Sequence, residues 1–368
     1  MRPLLAVLAL LLAPAALAQE APAFPEEAVT IVSTPETTLA GTVTVPAGEG
    51  PFPAVVVVSG SGPQDRDGAT PGAAALLGDL RLYRDLAHHL ARRGVLVLRY
   101  DDRGVGESTF TGEAAALTPT DFADDAAAAV QFLADRPDVR WVGVVGHSEG
   151  GALAPVVASR VGAVDGVAMV AAPAETGLAT VVEQNRRLLA ERGVRPGAVD
   201  SFAVAVETAF GRAAAEPGRP LGEVGTAEVR GLLIAAFEGL PPSEAAKIGL
   251  PPGMASVVAD QQIGLVTSDY YRAFLALDPA VAARALEVPA LALYFGKDSQ
   301  VAAERNAPLM REALAASPAG EVVVLDGLNH MLQEAETGSV SEYASLAPAA
   351  DPDALDVIAD WVLRTAGE

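Results

Sequence analysis

Gly146, His147, Ser148, Glu149 and Gly150 spell GxSxG, directly after the apolar run Trp141–Val145 and directly before a helix-compatible stretch, Gly151–Arg160. In the order strand, tight turn, helix, a serine hydroxyl can be thrust clear of a sheet, because glycines on either side relieve the crowding of a strained turn. The chemistry open to such a serine is nucleophilic attack on an acyl carbon. A hydroxyl attacks poorly until a base takes its proton, and the base needs a third group to fix its tautomer. The pentapeptide recurs by chance in a chain with 35 glycines, so its partners decide the reading.

The chain has four histidines. His88 and His89 fall inside a helical pattern, and His147 beside the serine is expected to point away from the exposed hydroxyl. His330 is left as the base, in Gly327-Leu328-Asn329-His330 just past the strand-like Glu321–Leu325. Asp298 follows the strand-like Val288–Phe295 and is predicted to hold the imidazole. Glu175 is the alternative acid, and Asp326 is set aside as too close to its strand end to face back. A developing oxyanion needs preorganised donors. The N–H of Glu149 is one, and the turn Ser59-Gly60-Ser61-Gly62 after Ala54–Val58 offers the other, Ser61 first and Gly62 next.

No cofactor or metal enters this reading. Gly104-Val105-Gly106 follows a strand but lacks a complete dinucleotide fingerprint. Asp65, Arg66 and Asp67 could bind a metal but read better as a salt-bridged turn, and Asp101, Asp102 and Arg103 as a polar network beneath the serine turn.

The elements that must position these residues alternate. Val29–Ser33 and Thr38–Val45 read as a hairpin, and Ala54–Val58, Val95–Tyr100, Trp141–Val145 and Gly166–Ala171 as buried strands. Leu80–Arg93 and Asp121–Asp135 read as the helices between them. The spacing predicts an α/β chain with a doubly wound, mostly parallel sheet. From about Ala174 to Leu286 only helical segments appear, among them Val181–Arg192, Ser201–Arg212 and Thr226–Leu240. Strands then resume at Val288–Phe295 and Glu321–Leu325, and Asp353–Arg364 closes the chain as a helix. Residues 19–173 and 287–368 are therefore expected to form one core, with 174–286 inserted as a helical cap that controls access to the carboxyl edge.

Residues 1–18 carry Arg2, a leucine and alanine run, and Ala16-Leu17-Ala18, the pattern of a secretory signal peptide. A periplasmic or secreted location is expected, with stability that owes nothing to disulfides, since the chain has no Cys. No later stretch reads as a membrane helix. The formal net charge of −22, or −23 once Arg2 is removed, repels nucleic acid. A small molecule is the expected partner, and the sequence says nothing of oligomeric state.

Five segments, GHSEGG at 146–151, SGSGPQDRDG at 59–68, RYDDRGVGES at 99–108, GKDSQV at 296–301 and GLNH at 327–330, together resemble bacterial α/β-hydrolase-fold serine esterases. YRAFLALDP at 271–279 is similar to theirs as well. The resemblance spans nearly the whole chain after the signal. It implies an α/β-hydrolase fold and a carboxylesterase-type activity, with Ser148, Asp298 and His330 as triad and the helical insertion as cap. Acyl-thioesterase or peptidase chemistry on the same triad stays open, as does a non-catalytic binding module on the same fold.

Overall fold

The computed structural model describes residues 24–72 and 74–367. The proposed signal, residues 1–18, lies outside the described residues. Among the described residues nine strands form one sheet: β1 (Glu26–Thr34), β2 (Thr37–Thr44), β3 (Phe52–Val58), β4 (Leu96–Tyr100), β5 (Thr109–Phe110), β6 (Val139–His147), β7 (Gly166–Val170), β8 (Ala290–Phe295) and β9 (Gly320–Leu325). Their order is β1-β2-β4-β3-β6-β7-β8-β9, with the two-residue β5, too short for the sequence pattern to announce, beside β2. β1 pairs antiparallel with β2, and β2 with β4, while β4, β3, β6, β7, β8 and β9 run parallel.

The apolar runs are continuous because both faces of the sheet are covered. On β3, Ala54, Val56 and Val58 pack into one core, and Val55 and Val57 into the other, as the two-residue period of a strand requires. The first core is closed by the helices Pro119–Ala134 and Glu149–Arg160, through Ala126, Val130, Leu133 and Val157. The second is closed by Leu82–Arg92 and Pro352–Thr365, through Leu86, Leu90, Ile358 and Trp361. Each fully buried aliphatic side chain in these layers stabilises the fold by about 1.5–3 kcal/mol.

Between β7 and β8 the chain leaves the sheet for a helical insertion with an apolar core of its own. Pro196–Ala214 turns Phe202, Val206, Ala209, Phe210 and Ala213 inward, the three-and-four spacing of one helix face, against Val229, Leu233 and Phe237 of Gly222–Glu238. The buried Arg272 donates to the carbonyls of Ala213 (2.7 Å) and Glu216 (2.6 Å), a cation on the unsatisfied end of a helix. Expected helix bounds shift modestly. The helix over Ser201–Arg212 starts five residues earlier, at Pro196, whose fixed φ suits a first helical turn.

Candidate active site

β6 runs straight into the helix Glu149–Arg160, and Ser148 sits on the turn between them with φ 54° and ψ −119°, a conformation that costs a non-glycine residue of order 1–3 kcal/mol. The neighbours explain how it is tolerated. A Cβ on Gly146 would lie 2.2 Å from the Gly150 carbonyl oxygen, and one on Gly150 would lie 2.3 Å from that of Ser59, so only glycine lets strand, turn and helix close on one another. The Ser148 N–H donates to the Val170 carbonyl at 2.8 Å, pinning the turn to β7.

His330, on the loop after β9, places Nε2 3.0 Å from Ser148 Oγ and Nδ1 2.7 Å from Asp298 Oδ2. Asp298 stands just past β8, and its other oxygen accepts the N–H groups of Gln300 and Val301, both at 2.8 Å. A carboxylate only accepts, so Nδ1 carries the proton, and Nε2 is free to accept from the serine hydroxyl. Asp298 and His330 are buried, at 3% and 4% exposure, which strengthens both hydrogen bonds. The rival carboxylate, Glu175, is instead held by Arg305 at 3.0 and 2.5 Å. Asp326 lies against Gly296.

His147 takes a part that its sequence position did not announce. Its Nε2 donates to the backbone carbonyl of His330 at 2.9 Å, and the two rings lie 4.9 Å apart. Burial, with the neighbouring His330 adding to it, depresses its pKa to about 3, so the ring is neutral and buttresses the loop that carries His330. The Tyr83 hydroxyl lies 3.4 Å from His147 Nδ1, accepts the Gly60 N–H at 2.8 Å and reaches Gln64 Oε1 at 2.9 Å. Nothing in the sequence ties residue 83 to this site; the signal is a contact that only folding makes.

The turn Ser59-Gly60-Ser61-Gly62 lies beside Ser148, close enough that a Cβ on Gly60 would be 3.3 Å from Ser148 Cβ. Asp102 anchors it from β4's end, accepting the Ser59 hydroxyl at 2.6 Å and the Gln64 N–H at 2.8 Å. Burial lifts the Asp102 pKa to about 7 against the pull of these two donors. Ser61 Oγ donates to Glu149 Oε2 at 2.6 Å, and the hydroxyl of Tyr270, from the inserted helix Asp269–Ala276, donates to Oε1 of the same carboxylate. Burial raises the Glu149 pKa above the usual carboxylate range. A cavity of about 200 Å³ opens here, lined by Gly60, Gly62, Asp102, Phe122, Glu149 and Tyr270.

The acidic turn Asp65–Asp67 is ion-paired, with Arg66 on Asp101 (2.6 Å) and Asp67 on the buried Arg99. Arg103 lies between Phe110 and Phe122 and donates to Asp125 at 2.8 Å. Among the described residues no group of three or more metal-ligating side chains converges, and no helix is long and apolar enough to cross a membrane.

The family described as serine aminopeptidase, S33, matches residues 78–195. Esterase EstD of Thermotoga maritima is 29% identical over 345 residues, covering 93% of this chain and 68% of that protein. Among solved structures, an esterase of Pyrococcus furiosus superposes with a TM-score of 0.52 at 14% identity, over 94% of this chain and 92% of that one. Proline iminopeptidase of Mycobacterium smegmatis does so with a TM-score of 0.51 at 16% identity, over 92% and 99%. These two share the fold. With a mostly parallel sheet and a helical insertion before β8, the chain has the α/β-hydrolase fold, and over 93% of its length it is similar to an esterase.

Proposed function

We propose that the chain hydrolyses small carboxylic esters through an acyl-enzyme formed on Ser148. The observation that carries this reading is the unbroken relay of 3.0 Å and 2.7 Å from Ser148 Oγ through the imidazole of His330 to Asp298. His330 takes the hydroxyl proton as Ser148 Oγ attacks the ester carbonyl. The Glu149 and Ser61 backbone N–H groups hold the oxyanion, with the Gly62 N–H as the alternative to that of Ser61. As the tetrahedral intermediate collapses, His330 hands its proton to the departing alcohol, then activates a water that releases the acid and restores Ser148. Asp298 holds the imidazole in the one tautomer that serves both steps. The reading needs no metal or cofactor, and the helical insertion acts as the cap that selects the ester.

A panel of p-nitrophenyl esters of graded chain length, assayed beside Ser148→Ala, tests it. The variant should lose about 10⁴-fold or more in kcat; equal rates would remove Ser148 from the mechanism. The serine aminopeptidase match makes aminoacyl p-nitroanilides and acyl thioesters useful additions, since preferential turnover of either would move the substrate class within the same chemistry. No turnover of any of them would favour a binding module.

The leader Met1–Ala18 supports export to the periplasm or beyond. Expression of the full chain in a Gram-negative host should deliver a protein whose N-terminus is Gln19 to the periplasm or medium. A cytoplasmic protein still starting at Met1 would end that part of the reading.

A further inference from the structure

The oxyanion turn and the serine turn belong to different strands, and each is fixed by its own set of contacts. Asp102 and Tyr83 hold the oxyanion turn at Ser59, Gly60 and Gln64, and all of these residues lie outside the insertion. Ser61 is held differently. Its hydroxyl runs to the Glu149 carboxylate, one residue past the nucleophile and 88 positions away, and the second oxygen of that carboxylate takes the hydroxyl of Tyr270 from the insertion. The carboxylate is 5% exposed, and the Tyr270 ring is seated edge-on against Phe122 at 5.6 Å, so the chain of hydroxyl, carboxylate and hydroxyl has little freedom to drift.

We infer that the Glu149 side chain is a positioning residue which straps the two donors of the oxyanion hole together and fastens both to the inserted helix through Tyr270. This rests on the oxyanion reading above and adds a purpose for the insertion. Ser61 and Glu149 are the residues whose N–H groups hold the oxyanion, and the same two residues are joined by the side-chain hydrogen bond. A hole of preorganised donors works only if the donors keep their spacing as charge develops. Without the strap, Ser61 is left with a hydrogen bond from the Gln64 side chain to its carbonyl (3.1 Å), on an exposed lip of the turn. The strap also makes the hole sensitive to where the insertion sits. When the helix Asp269–Ala276 is displaced, Glu149 loses one of its two donors, and the donors of the hole lose their common anchor. Substrates that let the insertion settle on the sheet edge are thereby favoured in the chemical step, not merely in binding.

Ser61→Ala and Tyr270→Phe test this, because each deletes one hydroxyl, leaves every backbone N–H in place and changes little of the shape. For a p-nitrophenyl ester that the wild type turns over, each should lower kcat about tenfold, the value of one hydrogen bond to a charged group, with KM within about twofold. The thermal midpoint should stay near that of the wild type. Because both act through one carboxylate, the double variant should lose clearly less than the roughly hundredfold product of two independent effects. An unchanged kcat in Tyr270→Phe, a change confined to KM, or losses that simply multiply would each overturn the strap. Ser148→Ala run alongside separates the two failures: if it abolishes turnover while the strap variants do not matter, the triad stands and the strap falls. If it has no effect, the mechanism itself is wrong.

Discussion

At the carboxyl edge of the sheet the charged groups are inside the molecule, with Asp102 and Asp298 3% and Glu149 5% exposed. In the helical insertion most lie outside. The pairs Arg186–Asp200, Arg212–Glu228 and Arg230–Asp260 have side chains 32–66% exposed, over a core of Phe, Val, Leu and Ala. The difference is one of substitutability. A surface ion pair exchanges readily with water and contributes little. A buried carboxylate is costly without donors, and each of these three accepts two or more hydrogen bonds, at least one of them from another element, so none can move alone. The edge is built to hold a geometry; the insertion is built to hold a shape.

The strongest way to break that contrast is to neutralise one carboxylate in each setting. Asp298→Asn keeps size and burial but offers a donor where the imidazole needs an acceptor, so it should lower kcat by about 10⁴-fold at pH 7. Glu175, the alternative acid read from the sequence, stands at the junction with the insertion and is engaged by Arg305. Glu175→Gln should leave kcat and KM within about twofold. Reversed outcomes in steady-state assays would put the acid at 175 and empty the geometry at Asp298 of its meaning.

The amino-acid sequence discloses the molecule along the same division. The parallel strands declared themselves because a strand buried on both faces is a continuous β-branched run, as Ala54–Val58 is. Ser148, Asp298 and His330 were legible because an α/β sheet puts its strand ends at one edge, so chain order alone brought the three together. What could not be read were the supports. Tyr83 meets His147 across 64 positions, His147 meets the His330 carbonyl across 183, and Tyr270 meets Glu149 across 121. No local pattern encodes such pairings. His147 in particular reads as a bystander because the sequence shows only its neighbour in the chain, not its neighbour in space. In the insertion the helical patterns of the sequence mark Gly177–Glu191, Pro196–Ala214 and Gly222–Glu238. The short Asp269–Ala276 and Pro279–Arg284 were not marked out, although each has a side-chain cap, Ser268 on Tyr271 (3.2 Å) and Asp278 on Val281 (3.1 Å). Their apolar faces are too brief to stand out by period.

A subtler contrast lies in how stability should respond to pH. His147 has its pKa depressed to about 3 by burial and by His330, whereas the unfolded chain binds that proton near 6.5. Its contribution is therefore lost as pH falls from about 6.5 toward 3. Asp102 has its pKa raised to about 7 by burial from an ordinary 3.8, so its contribution is complete below about 4 and is lost as pH rises through 7. Between about pH 4 and 6.5 the two slopes oppose each other, each at up to about 1.4 kcal/mol per pH unit. Removing one should expose the other. In urea titrations at pH 4.5, 5.5 and 6.5, His147→Gln should give an unfolding free energy that falls more steeply with rising pH than in the wild type. Asp102→Asn should give one that rises more steeply. Arg230→Gln, which breaks the exposed pair with Asp260 (2.5 Å), should run parallel to the wild type, because water stands ready to replace a partner there. Equal slopes in all four proteins would mean that the edge groups titrate as freely as the insertion's surface, and the distinction between a buried, fixed edge and an interchangeable exterior would not hold.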